Sequence, residues 1–268
     1  PDIALSYFNM DDPVVGGYTP EKVALRRAVQ LAYDIDHEIR IIRRGQALPA
    51  QSAAPPGTYG YDPDFRTNNA SFDRGSAKAL LDTYGYVDRD GDGWREQPDG
   101  SPLVITLSSE TDQIYRQYNE NWLKGMTAVG IRMRFDLGQW PEHMKAARAG
   151  KLQMWFLGST ATSPDAQPLF ENAYGKSIGQ ENLARFARPE FDAIFARMSD
   201  LPDGAEREAL FKEASKILAA WMPYRFHVHR IYNDCSWPWI TGYRQPLFRD
   251  QSWHYIDVDG AMRAKVLA

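Results

Sequence analysis

Residues Leu152–Phe170, LQMWFLGSTATSPDAQPLF, open with a short apolar run (Leu152, Met154, Trp155, Phe156, Leu157) held between Gly150 and Gly158. An apolar run of that length between chain breakers fits a strand buried on both faces of a sheet. Directly after Gly158 come Ser159, Thr160, Thr162 and Ser163, then Pro164 and Asp165. A strand that ends in glycine and delivers small polar side chains into a loop is how open α/β sheets present groups to a ligand. The same residues suit an ordinary strand-to-helix connection in which Asp165 caps the helix, and the local sequence leaves both readings open.

Upstream, Leu103–Leu107 (LVITL) has the composition of a strand, a helical pattern follows from about Asp112 to Val129, and Ile131–Asp136 reads as a second strand. A helix from about Pro141 to Ala149 then leads into the opening stretch. Strands alternating with helices imply right-handed crossovers and a parallel sheet. The three strand ends therefore fall on one side, where the loops Ser108–Gln113, Leu137–Pro141 and Gly158–Asp165 carry Thr111, Gln139, Trp140, Ser159, Thr160 and Thr162. Hydroxyls, an amide and an indole bind; they do not form a catalytic set.

Further out, Ile3–Phe8 is strand-like, and Thr19, Pro20 and Glu21 open a helix through Leu31. Asp36 is placed to cap a short second helix, His37–Arg44, whose Arg40, Arg43 and Arg44 read as a solvated face. Gln46–Asn69 has the turn chemistry of a long surface loop, and Asp73 opens another helix that ends at Gly85. Pro189–Met198 and Glu206–Trp221 are amphipathic helices, the second stopped by Pro223. Tyr224–Tyr232 alternates as a strand with Tyr224, Phe226 and Val228 on one face and Arg225, His227 and His229 on the other. Trp253–Val258 reads as a short final strand.

A hydrophobic content of 43% with 25% charged residues is that of a folded globular chain, and 268 residues can bury a sizeable core. The net charge of −4, with no basic cluster beyond Arg26-Arg27 and Arg43-Arg44, argues against a nucleic-acid partner. No apolar run reaches the length of a membrane span. The N-terminus lacks both a leader pattern and an initiator methionine, which leads us to expect a processed or excised chain. Cys235 is the single cysteine, so no internal disulfide can form, and no motif marks it as a nucleophile; it reads as a buried thiol.

Three sets of residues bear on chemistry. Asp88, Asp90, Asp92 and Asp99 follow a calcium-loop spacing, but a strand rather than a helix comes next, and a turn whose acids cap backbone amides explains them better than a metal does. His227 and His229, two apart on a strand, lack a third ligand nearby and read as pocket-wall residues. No nucleophile elbow, phosphate loop, dinucleotide fingerprint or zincin motif is present. A hydrolase would need scattered groups such as Asp165 with a histidine, and its mark would be a carboxylate bonded to His227 or His229 across a closed pocket.

Four motifs in register across nearly the whole chain carry a resemblance. They are LRRAVQLAYDID (Leu25–Asp36) followed by Gly45-Gln46-Ala47; SAKALLDTYGYVDRDGDGWRE (Ser76–Glu96); MTAVGIR (Met126–Arg132); and Met222-Pro223 with PWITGY (Pro238–Tyr243). Together they resemble the family 5 solute-binding proteins of ABC importers, the dipeptide, oligopeptide and nickel binders. The resemblance implies an α/β fold, a periplasmic-binding-protein-like (type II) lobe with a mixed, largely parallel sheet flanked by helices. It implies that residues 1–268 are the C-terminal lobe of a two-lobed protein, with segments of about 1–15 and 244–268 connecting to an absent N-terminal lobe. In peptide-binding relatives the loop after the central strand carries a Trp and an Asp, and here Ser159 and Thr162 take those places, so a neutral hydroxyl stands where an acid would hold a peptide's amine. The expectation is a non-enzymatic, cofactor-free component of the periplasm, monomeric at full length, that captures a peptide or other small polar solute for a membrane permease. Its ligand residues would be Trp140, Ser159, Thr160, Thr162, His227 and His229, with no resident metal. The rivals are the hydrolase and a stand-alone interaction module.

Overall fold

The computed structural model describes residues 1–68, 71–244, 248 and 253–268; Asn69, at the end of the expected loop, and much of 245–252 lie outside the described residues. The elements are β1 (Asp2–Phe8), α1 (Pro20–Ala32), a single turn α2 (Ile35–His37) continued by a π-helical turn (Glu38–Ile42), β2 (Ala47–Pro49), α3 (Arg74–Thr83), β3 (Val104–Glu110) and α4 (Gln113–Ala128). They continue with β4 (Arg132–Gly138), α5 (Trp140–Arg148), β5 (Met154–Thr160), α6 (Gln167–Phe170), α7 (Pro189–Asp200), α8 (Ala205–Trp221), β6 (Tyr224–Arg230), β7 (Ile240–Thr241), β8 (Asp257–Val258) and α9 (Gly260–Leu267).

The opening stretch is β5, inside a six-stranded sheet of order β2-β6-β1-β5-β3-β4. Strand β3 pairs in parallel with β4 and with β5, the connections running through α4 and α5 as the alternation demanded. Strand β1 is antiparallel to β5 and to β6, and β2 is antiparallel to β6. Thus β3, β4, β5 and β6 share one direction, and the sheet is mixed. Their C-terminal ends form one rim, which the starts of β1 and β2 complete.

Two cores cover the sheet. Ala4, Phe8, Ile105, Leu107, Met154 and Phe156 meet Leu25, Val29, Leu81, Trp122 and Met126 from α1, α3 and α4. On the other face Ile3, Leu5, Tyr7 and Trp155 meet Ala147, Phe170, Phe191, Phe211 and Leu218 from α5 to α8. Strand β1 lies centrally, between β5 and β6, and all seven of its residues are buried. Residues 2–8, part of a segment expected to connect outward, thus form the middle of the body.

Local signals place the helix starts. Pro20 begins α1, and the Asp73 side chain accepts from Ser76 N at 3.0 Å to cap α3. The second helix is capped by Asp34, which accepts from His37 N at 2.8 Å, and not by Asp36. Asp34 lies closer to the end of α1, so the chain turns two residues earlier. Arg43, expected on a solvated face, instead turns inward to Glu38 at 2.8 Å. Between the two sides of the sheet, the buried Arg26 donates to the carbonyls of Val15, Gly17, Trp221 and Met222 at 2.7–3.2 Å.

The alternation expected along β6 breaks at a β-bulge. Leu5 pairs with Phe226 but Ala4 pairs with Val228, so His227 is an inserted residue. Phe226 packs in the second core and Val228 in the first. His227 and His229 therefore lie on opposite faces, not one: the first ring meets Tyr33, Trp122 and Phe156, the second meets Tyr61. Two further expectations are corrected. Cys235 is exposed, because β6 ends at Arg230 and the chain beyond it leaves the core. Of Trp253–Val258 only Asp257–Val258 is strand, paired with Ile240–Thr241, after a 3-10 turn.

Candidate functional site

The rim collects the expected polar groups. Thr160 and Thr162 are exposed, and Ser159 is half-buried at the end of β5. Ser159 pairs opposite Ile3, so it faces the second core, where it helps line a cavity of about 100 Å³ with Tyr7, Met144, Arg148 and Tyr224. Trp140 opens α5 with 49% of its surface exposed, its ring centre 6.3 Å from that of Trp155. A capping box between Gln139 and Glu142 holds that helix start, and Gln139 Nε2 donates to Thr111 Oγ1 at 3.2 Å, tying two rim loops together. Asp165 does not approach a histidine. Its Oδ1 accepts from Gln167 N at 2.9 Å and its Oδ2 from the buried Arg207 at 2.5 Å.

The histidines are elsewhere. His227 is fully buried, its Nε2 2.9 Å from Ser6 Oγ and its Nδ1 2.8 Å from Glu38 Oε2. The connectivity is that of a Ser–His–acid triad, and an acid–imidazole pair was the expected mark of a hydrolase. Among the described residues no pocket of the kind a hydrolase needs opens onto this set: Ser6, Glu38 and His227 are each 0% exposed. A nucleophile that no substrate carbonyl can reach performs no acyl transfer. Burial, followed by the nearby Arg225 guanidinium, pushes His227 down to about 3, so the ring is neutral and donates to Glu38. Burial opposes ionisation of Glu38, yet the His227 hydrogen bond and the Arg43 and Arg225 charges hold its carboxyl below the usual range. Tyr33 Oη adds a third donor at 2.7 Å. His229, also buried, bonds through Nδ1 to Asp2 O at 2.9 Å.

The pattern along the sequence missed a second rim cluster. Asp2 is buried at the start of β1, where Oδ1 accepts from Arg230 N at 3.1 Å and Oδ2 accepts from the Arg230 guanidinium and from Tyr232 Oη at 2.9 Å. These partners are 228 and 230 residues apart, so only pairing of β1 with β6 brings them together.

The acidic turn resolves into backbone caps. Ligand-capable oxygens of Asp88, Asp90, Asp92 and Glu96 lie within 4.8 Å of one another. They accept from the amides of Gly91 and Gly93, Asp92, Trp94 and Arg89, respectively, at 2.7–3.1 Å. Asp99, at the twelfth position of the calcium spacing, is turned to Ser101 instead.

Comparisons with known proteins agree with one another. The family profile of the bacterial extracellular solute-binding proteins, family 5 (middle), matches residues 3–181. Heme-binding protein A of Haemophilus influenzae is 25% identical over 245 residues, covering 90% of this chain and 42% of the relative. Di/tripeptide-binding protein 2 of Pseudomonas aeruginosa is 28% identical over 233 residues, 82% of this chain and 40% of its own. The oligopeptide-binding protein AppA of Bacillus subtilis, solved with a nonapeptide, superposes with a TM-score of 0.82 at 15% identity, over 96% of this chain and 51% of that one. The chain spans about half the length of the proteins it matches.

Proposed function

The chain belongs to the bacterial extracellular solute-binding proteins, family 5, and from that membership we propose that it is the C-terminal lobe of the substrate-binding component of an ABC importer. In this reading it works outside the cytoplasmic membrane, in the periplasm, together with an N-terminal lobe on the same polypeptide. The pair closes on a peptide or other small polar solute and presents it to a permease. Trp140 supplies a flat apolar wall, and Ser159, Thr160 and Thr162 supply hydrogen bonds. His227 and His229, both buried, hold β6 in place behind them.

One observation carries the proposal: three strand ends deliver hydroxyl, amide and indole groups to a single rim, while the triad-like set is sealed in the core. Capture and release require no bond-making, so binding groups alone suffice. The tail supports the second lobe. Trp237 is 65% exposed while stacked on Trp239, and Tyr255, Val258, Val266 and Leu267 are exposed too. Apolar surface of that kind marks a contact with another body. Segments of about 1–15 and 244–268 lie where the lobes join in this reading, with β1 shared by the body of this one.

The test is native mass spectrometry of the complete polypeptide from its host, followed by calorimetry with whatever co-purifies. A released small solute that rebinds without chemical change supports the proposal. Turnover of that solute sinks it.

A further inference from the structure

Arg230 is the last residue of β6 and stands at the same rim as Thr160 and Glu110, the last residues of β5 and β3. Its guanidinium does not point away from the sheet. Asp2, itself buried, takes the main-chain amide of Arg230 on one oxygen and the guanidinium on the other, and Tyr232 donates to the second oxygen as well. A carboxylate held that way fixes the planar fork, as an outer partner fixes a ligating residue. The fork reaches across β1 to the end of β5: a Cβ built on Gly158 would come within 3.2 Å of Arg230 Nη2. Glycine at this exposed position leaves room for the guanidinium at the point where the strand opens into its ligand loop.

We propose that Arg230 is the anion-binding residue of this rim and grips the solute by an acidic group, a carboxylate above all. The proposal rests on the binding-protein reading above and names the chemistry by which that site chooses its solute. Nε and Nη2 are committed to Asp2, but Nη1 has no hydrogen-bond partner among the described residues, and the side chain keeps 35% of its surface. Asp2 offsets much of the Arg230 charge, so what the pair offers a solute is an oriented donor held in place, and among the described residues no other carboxylate is bonded to it. Arg43 is tied to Glu38, and its side chain is only 10% exposed. Glu110, at the end of β3, lies beside Tyr115 and makes no ion pair with Arg230, and burial raises its pKa. The ring of Tyr232, 5.3 Å from the guanidinium carbon, walls one side. Closure over the free Nη1 excludes water and strengthens a charge-assisted bond to an acidic group, in a direction that the Asp2 contact fixes.

The experiment is calorimetry on the complete polypeptide with acid and neutral pairs: di- and tripeptides against their C-terminal amides, and haemin against its dimethyl ester. At least one acid form should bind, its neutral counterpart at least tenfold more weakly, and Arg230→Gln should remove that difference by weakening the acid form. Equal affinity for the acid and neutral forms, or an unchanged acid affinity in a folded Arg230→Gln protein, overturns the assignment. Should Arg230→Gln fail to fold without its Asp2 contact, Arg230→Lys serves instead, with a several-fold loss expected for the acid form only and an unchanged affinity counting against it. Should no member of either pair bind the wild type, the acidic-group assignment falls, whereas the binding-protein reading falls only if native mass spectrometry also finds no solute that co-purifies.

Discussion

Glu38 Oε2 and His227 Nδ1 lie 2.8 Å apart across 189 residues of sequence, and neither is exposed. The contact joins the π-helical turn after α1 to the inserted residue of β6. Ser6 extends it to β1, and Tyr33 and Arg43 close it from the helical side. A buried network of this kind is stable only when complete. Removing one partner leaves the others desolvated and unpaired, at a cost of about 3–5 kcal/mol. Glu38→Gln is expected to lower the urea midpoint strongly. Solute affinity of the variant, measured where it is still folded, should be unchanged, since the network touches no rim residue.

The same pair sets a pH dependence. Burial and Arg225 depress His227 to about 3 in the folded protein, and burial lowers His229 as well. The unfolded chain therefore binds these protons first. Stability is complete above about pH 6.5, the ordinary histidine value, and falls as pH drops below it, by about 1.4 kcal/mol per pH unit for each histidine concerned. Denaturation followed between pH 7 and pH 5 should show that slope, and His227→Gln should reduce it. A flat profile in the wild type contradicts the neutral buried ring.

Gly125 of α4 packs directly on the backbone at the end of α1. A Cβ there would sit 2.6 Å from Ala32 O, a backbone atom that has no rotamer with which to yield. Helix propensity favours alanine over glycine by about 1 kcal/mol, whereas forcing packed backbones apart costs about 1–3 kcal/mol. The steric effect should win. Gly125→Ala is expected to destabilise by up to about 2 kcal/mol net in thermal melts, and a rise in Tm would show that the helices have slack.

Thr162 stands exposed in the loop after β5, at the position the resemblance to peptide binders aligns with their amine-holding acid. Thr162→Asp should increase affinity for free-amine peptides in the complete polypeptide, because a carboxylate gives an ammonium a charge-assisted bond that a hydroxyl does not. Calorimetry with a tripeptide and its N-acetyl form checks this. No difference between the wild type and the Thr162→Asp variant argues that the loop does not reach the solute.

Much of the architecture could be read from residue patterns because it rests on local rules. The β3–α4–β4–α5–β5 order follows from periodicity, α1 from Pro20, and α3 from the Asp73 cap. Helix ends fell within a few residues of their expected positions for the same reason. What escaped depends on pairing across long separations. The bulge at His227 is set by how β6 meets β1, and no feature of YRFHVHR announces it. Its effect on the candidate site was large, since one inserted residue turned two histidines expected on one wall into buried residues of opposite faces. Arg230 was hidden likewise, because its partner Asp2 is at the other end of the chain. Cys235 was misplaced since nothing nearby in sequence shows that the chain has already left the sheet.

The position of Arg26 has a mechanical consequence. One guanidinium holds carbonyls from the 15–17 turn and from the end of α8, although α1 and α8 belong to opposite layers. At this point α1 and the end of α8 cannot move apart without breaking the bonds to Trp221 and Met222. Under the two-lobe reading proposed above, a displacement arriving at the strand-end loops would be passed to both layers together, and the bending would fall to whatever joins this body to its neighbour.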